Sequence, residues 1–144
     1  MKMRISRAAH EAILSETMRA GAEECCGLLI ADPASPAGRI DAILPAANVA
    51  AIRLAMFEID PARLIAAHRA ERAGGPRIVG CYHSHPGGDP VPSATDAAQA
   101  EASGALWLIA GGRAPWDVRL WVAVSNGRVH GRFDPVALIV EPAP

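Results

Sequence analysis

Two histidines one residue apart, at the end of an apolar run and followed at once by a loop of prolines and glycines, restrict this chain more than any other feature. The segment from Cys81 to Asp96 reads Cys-Tyr-His-Ser-His-Pro-Gly-Gly-Asp-Pro-Val-Pro-Ser-Ala-Thr-Asp. Arg77 to His83 has the composition of a strand that delivers the histidines at its C-terminal end. Side chains alternate along extended backbone, so Cys81, His83 and His85 share one face while Tyr82 and Ser84 take the other. The two imidazoles then converge, and Asp96 brings a carboxylate back from beyond Pro86, Gly87, Gly88, Pro90 and Pro92. Imidazole and carboxylate are both zinc ligands, and three protein ligands with a fourth position left to water make a catalytic rather than a structural site.

Each piece has a plainer reading on its own. A single histidine on a strand is more often structural than a ligand. Ser93 and Asp96 fit a loose capping box, with Ser93 as N-cap and Asp96 in the first turn, where the helix dipole favours negative charge. Taken together, His-x-His, seven residues and Ser-x-x-Asp place three metal-compatible groups around one short loop, and Asp96 can ligate and occupy a first helical turn at once. Cys81 lies on the histidine face, but a fourth protein ligand would close the site to water. Glu24 stands at the entrance to the apolar run Cys25 to Ala31, as a junction surface residue or as a group with a task. Cys25 and Cys26 read as packing residues, since no histidine lies near them in sequence to activate a thiol. His10, His68 and His130 have no companion ligands.

The order of elements predicts an α/β (α+β) fold, a mixed and largely antiparallel sheet flanked by helices. Ser6 caps a helix running to about Arg19, with Ala9, Ala12, Ile13 and Met18 on its apolar stripe and Gly21 as its stop. Asp60 and Pro61 start a second helix that ends near Gly74-Gly75. The third runs from Ser93 to about Ala102. Strands are expected at Cys25 to Ala31, Arg39 to Leu44, Phe57 to Ile59, Arg77 to His83, Leu106 to Ala110, Val118 to Val124 and Val129 to Phe133, with a hairpin turn at Asn126-Gly127. Pro45 to Met56 reads as a loop. A chain of 144 residues fits one domain, residues 1–144, with a core of about residues 5–134 and a loose tail over 135–144. Because only 4% of the residues are aromatic, aliphatic side chains must fill most of the interior, with Trp107 and Trp121 in the core and Trp116 open between packing and docking.

The formal net charge of −1 carries no basic run, which excludes nucleic-acid binding driven by phosphate neutralisation. No apolar stretch reaches the roughly 20 residues of a membrane span. Three cysteines, two of them adjacent, form no disulfide framework, and the first 20 residues lack the apolar core of a signal peptide. A cytoplasmic location is expected.

His83-Ser84-His85-Pro86 with Ser93 and Asp96 at that spacing, preceded by Glu24-Cys25-Cys26-Gly27, resembles the JAMM zinc metalloprotease motif of the JAB/MPN domain family. Asn48, Phe57, Asp60-Pro61 and Gly80 extend the likeness over roughly residues 5 to 130. The resemblance implies a cytidine-deaminase-like JAB/MPN architecture and one Zn²⁺ held by His83, His85 and Asp96 with a catalytic water. It also implies Glu24 as the general base and Ser93 as a hydrogen-bond donor to the oxyanion. Ser84 is left a structural part. The activity implied is that of a deubiquitinase-like isopeptidase cutting after the C-terminal glycines of a ubiquitin-like or sulfur-carrier protein. A groove beside the His83 strand, where a peptide adds as an edge strand, is expected, with Ala46 to Met56 as its mobile wall. Only Ser103 to Trp116 links the third helix to the later strands, so a second ubiquitin-sized partner is not expected. Gly87-Gly88-Asp89-Pro90 is shared with a RadC-like branch, whereas Glu-Cys-Cys-Gly fits the stand-alone prokaryotic branch. A non-catalytic MPN-type scaffold is the alternative, and the oligomeric state, a homodimer included, stays open.

Overall fold

The computed structural model describes residues 1–144. One eight-stranded sheet organises it. In chain order the elements are β1 (Lys2–Ile5), α1 (Arg7–Ala20), β2 (Cys26–Ala31), β3 (Arg39–Ile40), β4 (Ala42–Ala46), α2 (Pro61–Arg72), β5 (Arg77–Pro86), α3 (Ala94–Gln99), β6 (Leu106–Gly112), β7 (Asp117–Gly127) and β8 (Gly131–Val140). The strands lie side by side as β3-β1-β8-β7-β6-β5-β2-β4. β5 pairs antiparallel with β2 and parallel with β6, and β7 joins β6 and β8 antiparallel. The mixed, mainly antiparallel sheet expected from the sequence is present.

Alternation along the strands sorts the core into two faces. Leu29, Tyr82, Leu106, Leu108 and Leu120 pack with Ala9 and Ile13 of α1. Trp107, Ile109, Trp121 and Phe133 point the opposite way, with Phe57 and with Ala97 beside α3, while Leu28 and Ile30 meet Leu64 and Ala67 of α2. Trp107 and Trp121 are buried, as expected, and Trp116 is half-buried.

α1 begins where Ser6 Oγ accepts from Ala9 N–H at 3.1 Å and stops at Gly21, whose φ of 61° suits a residue without Cβ. Its buried stripe is Ala9, Ile13 and Thr17. Met18, expected on that stripe, is exposed. Thr17 replaces it at i+4 from Ile13, because its hydroxyl donates to the Ile13 carbonyl at 2.8 Å and so enters the interior satisfied. Asp60 caps α2 by accepting from Ala62 N–H, with Pro61 at the first helical position.

Other expectations shift at the edges. Arg39 to Leu44 is two strands broken at Asp41: β3 pairs with β1 and β4 with β2. The Phe57 to Ile59 strand reduces to one bridge between Ile59 and Asn48. The hairpin after β7 turns over Arg128, Val129 and His130 rather than at Asn126-Gly127, since Gly127 still pairs with Gly131 and His130 takes φ 51°. The tail expected to be loose is largely strand: β8 continues to Val140 and takes β1 in parallel, Met3 opposite Leu138. Three prolines make that segment look irregular, but Pro135 lies inside β8 opposite Trp121, and the buried Val136 anchors it. No helix is long and apolar enough to cross a membrane.

Neighbouring strands approach so closely at one position of β2 and one of β5 that neither admits a side chain. A Cβ on Gly27 would lie 2.4 Å from the Leu44 carbonyl and 2.5 Å from the Tyr82 ring, and one on Gly80 would lie 2.0 Å from the Leu106 carbonyl. Gly27→Ala must therefore displace sheet backbone or a fully buried ring, and a loss of about 1–3 kcal/mol is expected, read as a lower denaturation midpoint at unchanged m-value.

Candidate active site

Register, rather than proximity in sequence, assembles the site. Cys26 pairs with His83 in the antiparallel β2–β5 ladder. Each step back along β2 is a step forward along β5, so Cys25 falls opposite Ser84 and Glu24 opposite His85. Two contacts confirm the middle of this set: Ser84 N–H donates to the Cys25 carbonyl at 3.2 Å, and Cys25 N–H donates to Ser84 Oγ at 2.9 Å. Ser84 has no exposure at all. It is structural, as the sequence suggested, and ties the strand carrying the histidines to the residue following Glu24.

His83 and His85 lie on the face opposite Tyr82 and converge. Their Nε2 atoms are 3.0 Å apart, and Asp96 Oδ2 lies 3.2 Å from each. A tetrahedral ion with bonds of about 2.0–2.1 Å needs donor separations of about 3.3–3.4 Å. The triangle of two imidazole nitrogens and one carboxylate oxygen fits that requirement within a few tenths of an ångström. Three polar atoms held this close in a buried place need a proton or a cation between them, and a donor set of two imidazoles and a carboxylate suits a metal ion. A carboxylate oxygen of Glu24 forms a looser group with both imidazoles, ligand atoms within 4.8 Å of one another. Cys81 stays out of both groups and packs with the Trp107 cluster.

Each histidine is oriented from behind. The His83 ring is sealed from solvent and stacks on Phe57, centroids 4.3 Å apart, with Trp107 edge-on at 5.8 Å. His85 Nδ1–H donates to the Asp89 carbonyl at 2.9 Å, which orients the ring so that Nε2, once it has lost its proton, presents a lone pair to the centre. The Asp89 carbonyl is itself held in place. Gly112 N–H meets the Gly88 carbonyl at 2.6 Å, and the buried Trp121 indole N–H donates to the Pro90 carbonyl at 3.0 Å. A Cβ on Gly111 would strike the same loop at 2.6 Å. Trp121 and Gly111 carry no motif, and nothing in the sequence signals their part in holding the loop.

Asp96 is positioned by a full capping box. Ser93 Oγ accepts from Asp96 N–H at 3.0 Å, and Asp96 Oδ2 accepts from Ser93 N–H at 2.9 Å. The capping reading of Ser93 and Asp96 is therefore correct, and it coexists with the convergence on the histidines. Ser93 Oγ is engaged as an acceptor, so its own proton is free to be donated.

The electrostatics follow from these contacts. Burial disfavours an ionised Asp96, yet hydrogen bonds from His83, His85 and the Ser93 amide outweigh it and hold the carboxyl well below the usual range. Burial lowers His83 below the ordinary imidazole value against the pull of Asp96. For His85 burial acts the same way, but Asp96 and the Asp89 carbonyl prevail and the net shift is upward. Glu24 is only 7% exposed. Burial, and to a lesser degree the Asp96 charge, raises it to about 7 against the opposing influence of His85. Its Oε1 is buried without a hydrogen-bond donor from the protein, so a carboxylate poised to exchange a proton near neutrality faces the centre. The thiols are the reverse case: burial pushes Cys26 up to about 12 and raises Cys25 and Cys81, so none is a nucleophile.

The edge-strand groove expected beside the histidines is closed as far as His83: β5 has both neighbours there, His83 facing Cys26 on one side and Ile109 on the other, while His85 and Pro86 pair with β6 alone. A strand in the middle of a sheet and one at its edge look alike in sequence when both faces are covered.

Comparison with known proteins agrees with the geometry. The profile of the family described as prokaryotic homologs of the JAB domain matches residues 6–124. A desampylase from Haloferax volcanii is 38% identical over 112 residues, covering 75% of this chain and 79% of that protein. Among solved structures, a Desulfitobacterium hafniense protein superimposes with a TM-score of 0.81 at 21% identity, over 98% of this chain and 94% of its own. A structure described as a JAMM metalloprotease-like zinc site in the proteasome and signalosome gives 0.58 at 19% identity, over 99% and 100%. These two show the shared fold. With its profile match over most of its length, a relative above 30% identity and the histidine, aspartate and glutamate groups gathered at one buried point, this chain belongs to the prokaryotic homologs of the JAB domain, the stand-alone branch of the JAMM family, and is a metallopeptidase.

Proposed function

We propose that residues 1–144 form one catalytic domain that hydrolyses an amide bond after the C-terminal glycines of a ubiquitin-like or sulfur-carrier protein, using one zinc ion held by His83, His85 and Asp96. The observation that carries this reading is the 3.0–3.2 Å triangle of Nε2, Nε2 and Oδ2 with the unpartnered Glu24 carboxylate beside it. The triangle is preferred to Glu24, His83 and His85 as the ligand set because its edges of 3.0–3.2 Å match a tetrahedral ion, whereas the Glu24 group is only held within 4.8 Å. The desampylase likeness supports a ubiquitin-like protein as the substrate class. The Gly-Gly tail comes from the resemblance in the motif.

Zinc held there supplies Lewis acidity, which lowers the pKa of a water toward about 7 and polarises the scissile carbonyl. The rest is the work of the chain. Glu24, with a carboxyl near neutrality, takes the proton of the attacking water and returns it to the leaving amine, so one group is base and then acid. The Ser93 hydroxyl donates to the oxygen that gains charge, while its lone pair keeps the Asp96 amide and the helix start in place. Phe57 and Trp107 wall off water behind His83, and the Asp89 carbonyl orients His85 to ligate through Nε2.

Glu24→Gln is expected to retain zinc at wild-type stoichiometry and to lose at least about 10²-fold in hydrolysis of a Gly-Gly-amide fusion to a ubiquitin-like protein. Zinc retained in a wild type that cuts no such substrate would instead favour a binding scaffold. Ser93→Ala is expected to lower kcat by about 10²–10³-fold and, separately, to cost about 1 kcal/mol of stability through the lost cap, the two measured by kinetics and by chemical denaturation.

Zinc affinity should fall with acid. Both imidazoles must be neutral to ligate, and His85 is raised above the ordinary value, so protons compete from near neutrality downward. Titration against a chelator of known affinity should show roughly a tenfold weakening or more per pH unit below about 6.5, and a flat profile would exclude the histidines as ligands.

A further inference from the structure

The sheet does not hold Glu24. β2 begins at Cys26, and its last pair with β4 is Cys26 with Ala46, so the residue argued to move the proton lies two positions beyond the ladder. Ser84 fixes Cys25, but both backbone groups of Glu24 itself are taken by the loop between β4 and α2. Glu24 N–H donates to the Arg53 carbonyl at 2.9 Å, and the Glu24 carbonyl accepts from Asn48 Nδ2 at 2.9 Å.

Asn48 is the knot of that loop. Its Nδ2 donates a second time, to the Met56 carbonyl at 3.0 Å, and its Oδ1 accepts from Ala50 N–H and Glu58 N–H, both at 3.0 Å. All four hydrogen-bonding capacities of the carboxamide are in use. Its main chain closes the loop at the same place, where Asn48 bridges Ile59 and Val49 N–H donates to the Glu58 carbonyl. One side chain thus draws together the near limb, the far limb and the Glu24 peptide. The loop crest above it carries exposed Val49, Ile52 and Leu54, and of the loop's side chains only Ala50 and Phe57 are buried.

We infer that Asn48 is a positioning residue for Glu24: it locks the 48–58 loop into the shape that grips the Glu24 backbone and so aims the carboxylate at the histidine centre. The inference rests on the reading of Glu24 as the proton carrier. It assigns Asn48 no contact with substrate and no part in holding zinc, whose ligands sit on β5 and α3.

Asn48→Asp is the sharpest probe. It keeps an acceptor for Ala50 and Glu58 but turns a carboxylate oxygen toward the Glu24 and Met56 carbonyls. Amide hydrogen exchange is read first, because it needs no activity. The Glu24 amide should exchange at least about tenfold faster, while the Leu28 and Leu29 amides inside β2 keep their protection. In steady-state hydrolysis of the Gly-Gly-amide fusion, kcat should fall by about 10–100-fold with KM within about threefold and zinc content unchanged, the mark of a misplaced group rather than lost binding. Asn48→Ala, which removes the side chain without adding charge, should do the same and serves if the aspartate variant does not fold. Unchanged exchange at Glu24, an unchanged kcat, or loss of zinc along with kcat would each overturn the inference. An inactive wild type would remove the proposed function, and exchange at Glu24 would then decide the Asn48 grip by itself.

Discussion

The antiparallel pairing of β2 with β5 is the constraint on which the rest depends. Because Cys26 lies opposite His83, residues 57 positions apart in the chain share one face of the sheet, and Glu24 reaches the end of β5 just as the histidines emerge there. A slip of one residue would send Glu24 to the α1 face with Tyr82. The register is secured by shape and by polarity. Gly27 leaves room for the fully buried Tyr82 ring, and the Ser84 hydroxyl and amide both bond to Cys25, a reciprocal lock that forms only in this alignment.

The same pairing sets the chemistry by bringing polar groups where water does not compensate them. His83 and Ser84 have no exposure, and Glu24 and Asp96 have almost none. Burying such groups is unfavourable unless each is paired. Asp96 is paired by two imidazoles and an amide, and it stays charged. Glu24 lacks a donor and moves up to about 7. Two carboxylates a short distance apart are thereby pushed in opposite directions, one toward a permanent anion suited to ligation and one toward a group that can hold or release a proton at neutral pH. Environment divides the roles, since Asp and Glu begin with nearly equal affinity for protons.

Much of this was legible in the sequence because it is local. The alternation that puts His83 and His85 on one face needs only an extended strand. The Ser93 cap and the Asp96 first turn need only helix geometry, and Asp60-Pro61 announces α2. What the sequence hid is set by neighbours distant in the chain. β1 is four residues long and gains its place only by lying along β8, while β8 itself looked like a frayed end because Pro135 sits where β7 tolerates it. That β5 is interior as far as His83 depends on β6 arriving from beyond α3. Trp121 was legible as core but not as the donor holding the Pro90 carbonyl, since an indole N–H advertises no partner. Met18 was misplaced because a helical stripe of 3.6 residues admits either it or Thr17, and the carbonyl of Ile13 decides between them.

Two kinds of support therefore meet at the site. His83 and His85 stand on a strand paired along its whole end by β6, and Asp96 on a capped helix, where moving a side chain means breaking a ladder or a cap. Glu24 stands outside the ladder, on backbone held by a loop whose apolar crest faces solvent. Ligation demands donors fixed to a few tenths of an ångström before the ion arrives, and the sheet meets that demand. Proton transfer makes a different one. In the proposed mechanism the carboxylate must reach both the water and the leaving nitrogen, and the Arg53 and Asn48 bonds to its backbone set where it points. Glu24 and the His83, His85 and Asp96 group are thus held by different parts of the fold, the first through Arg53 and Asn48 and the second through a strand and a capped helix.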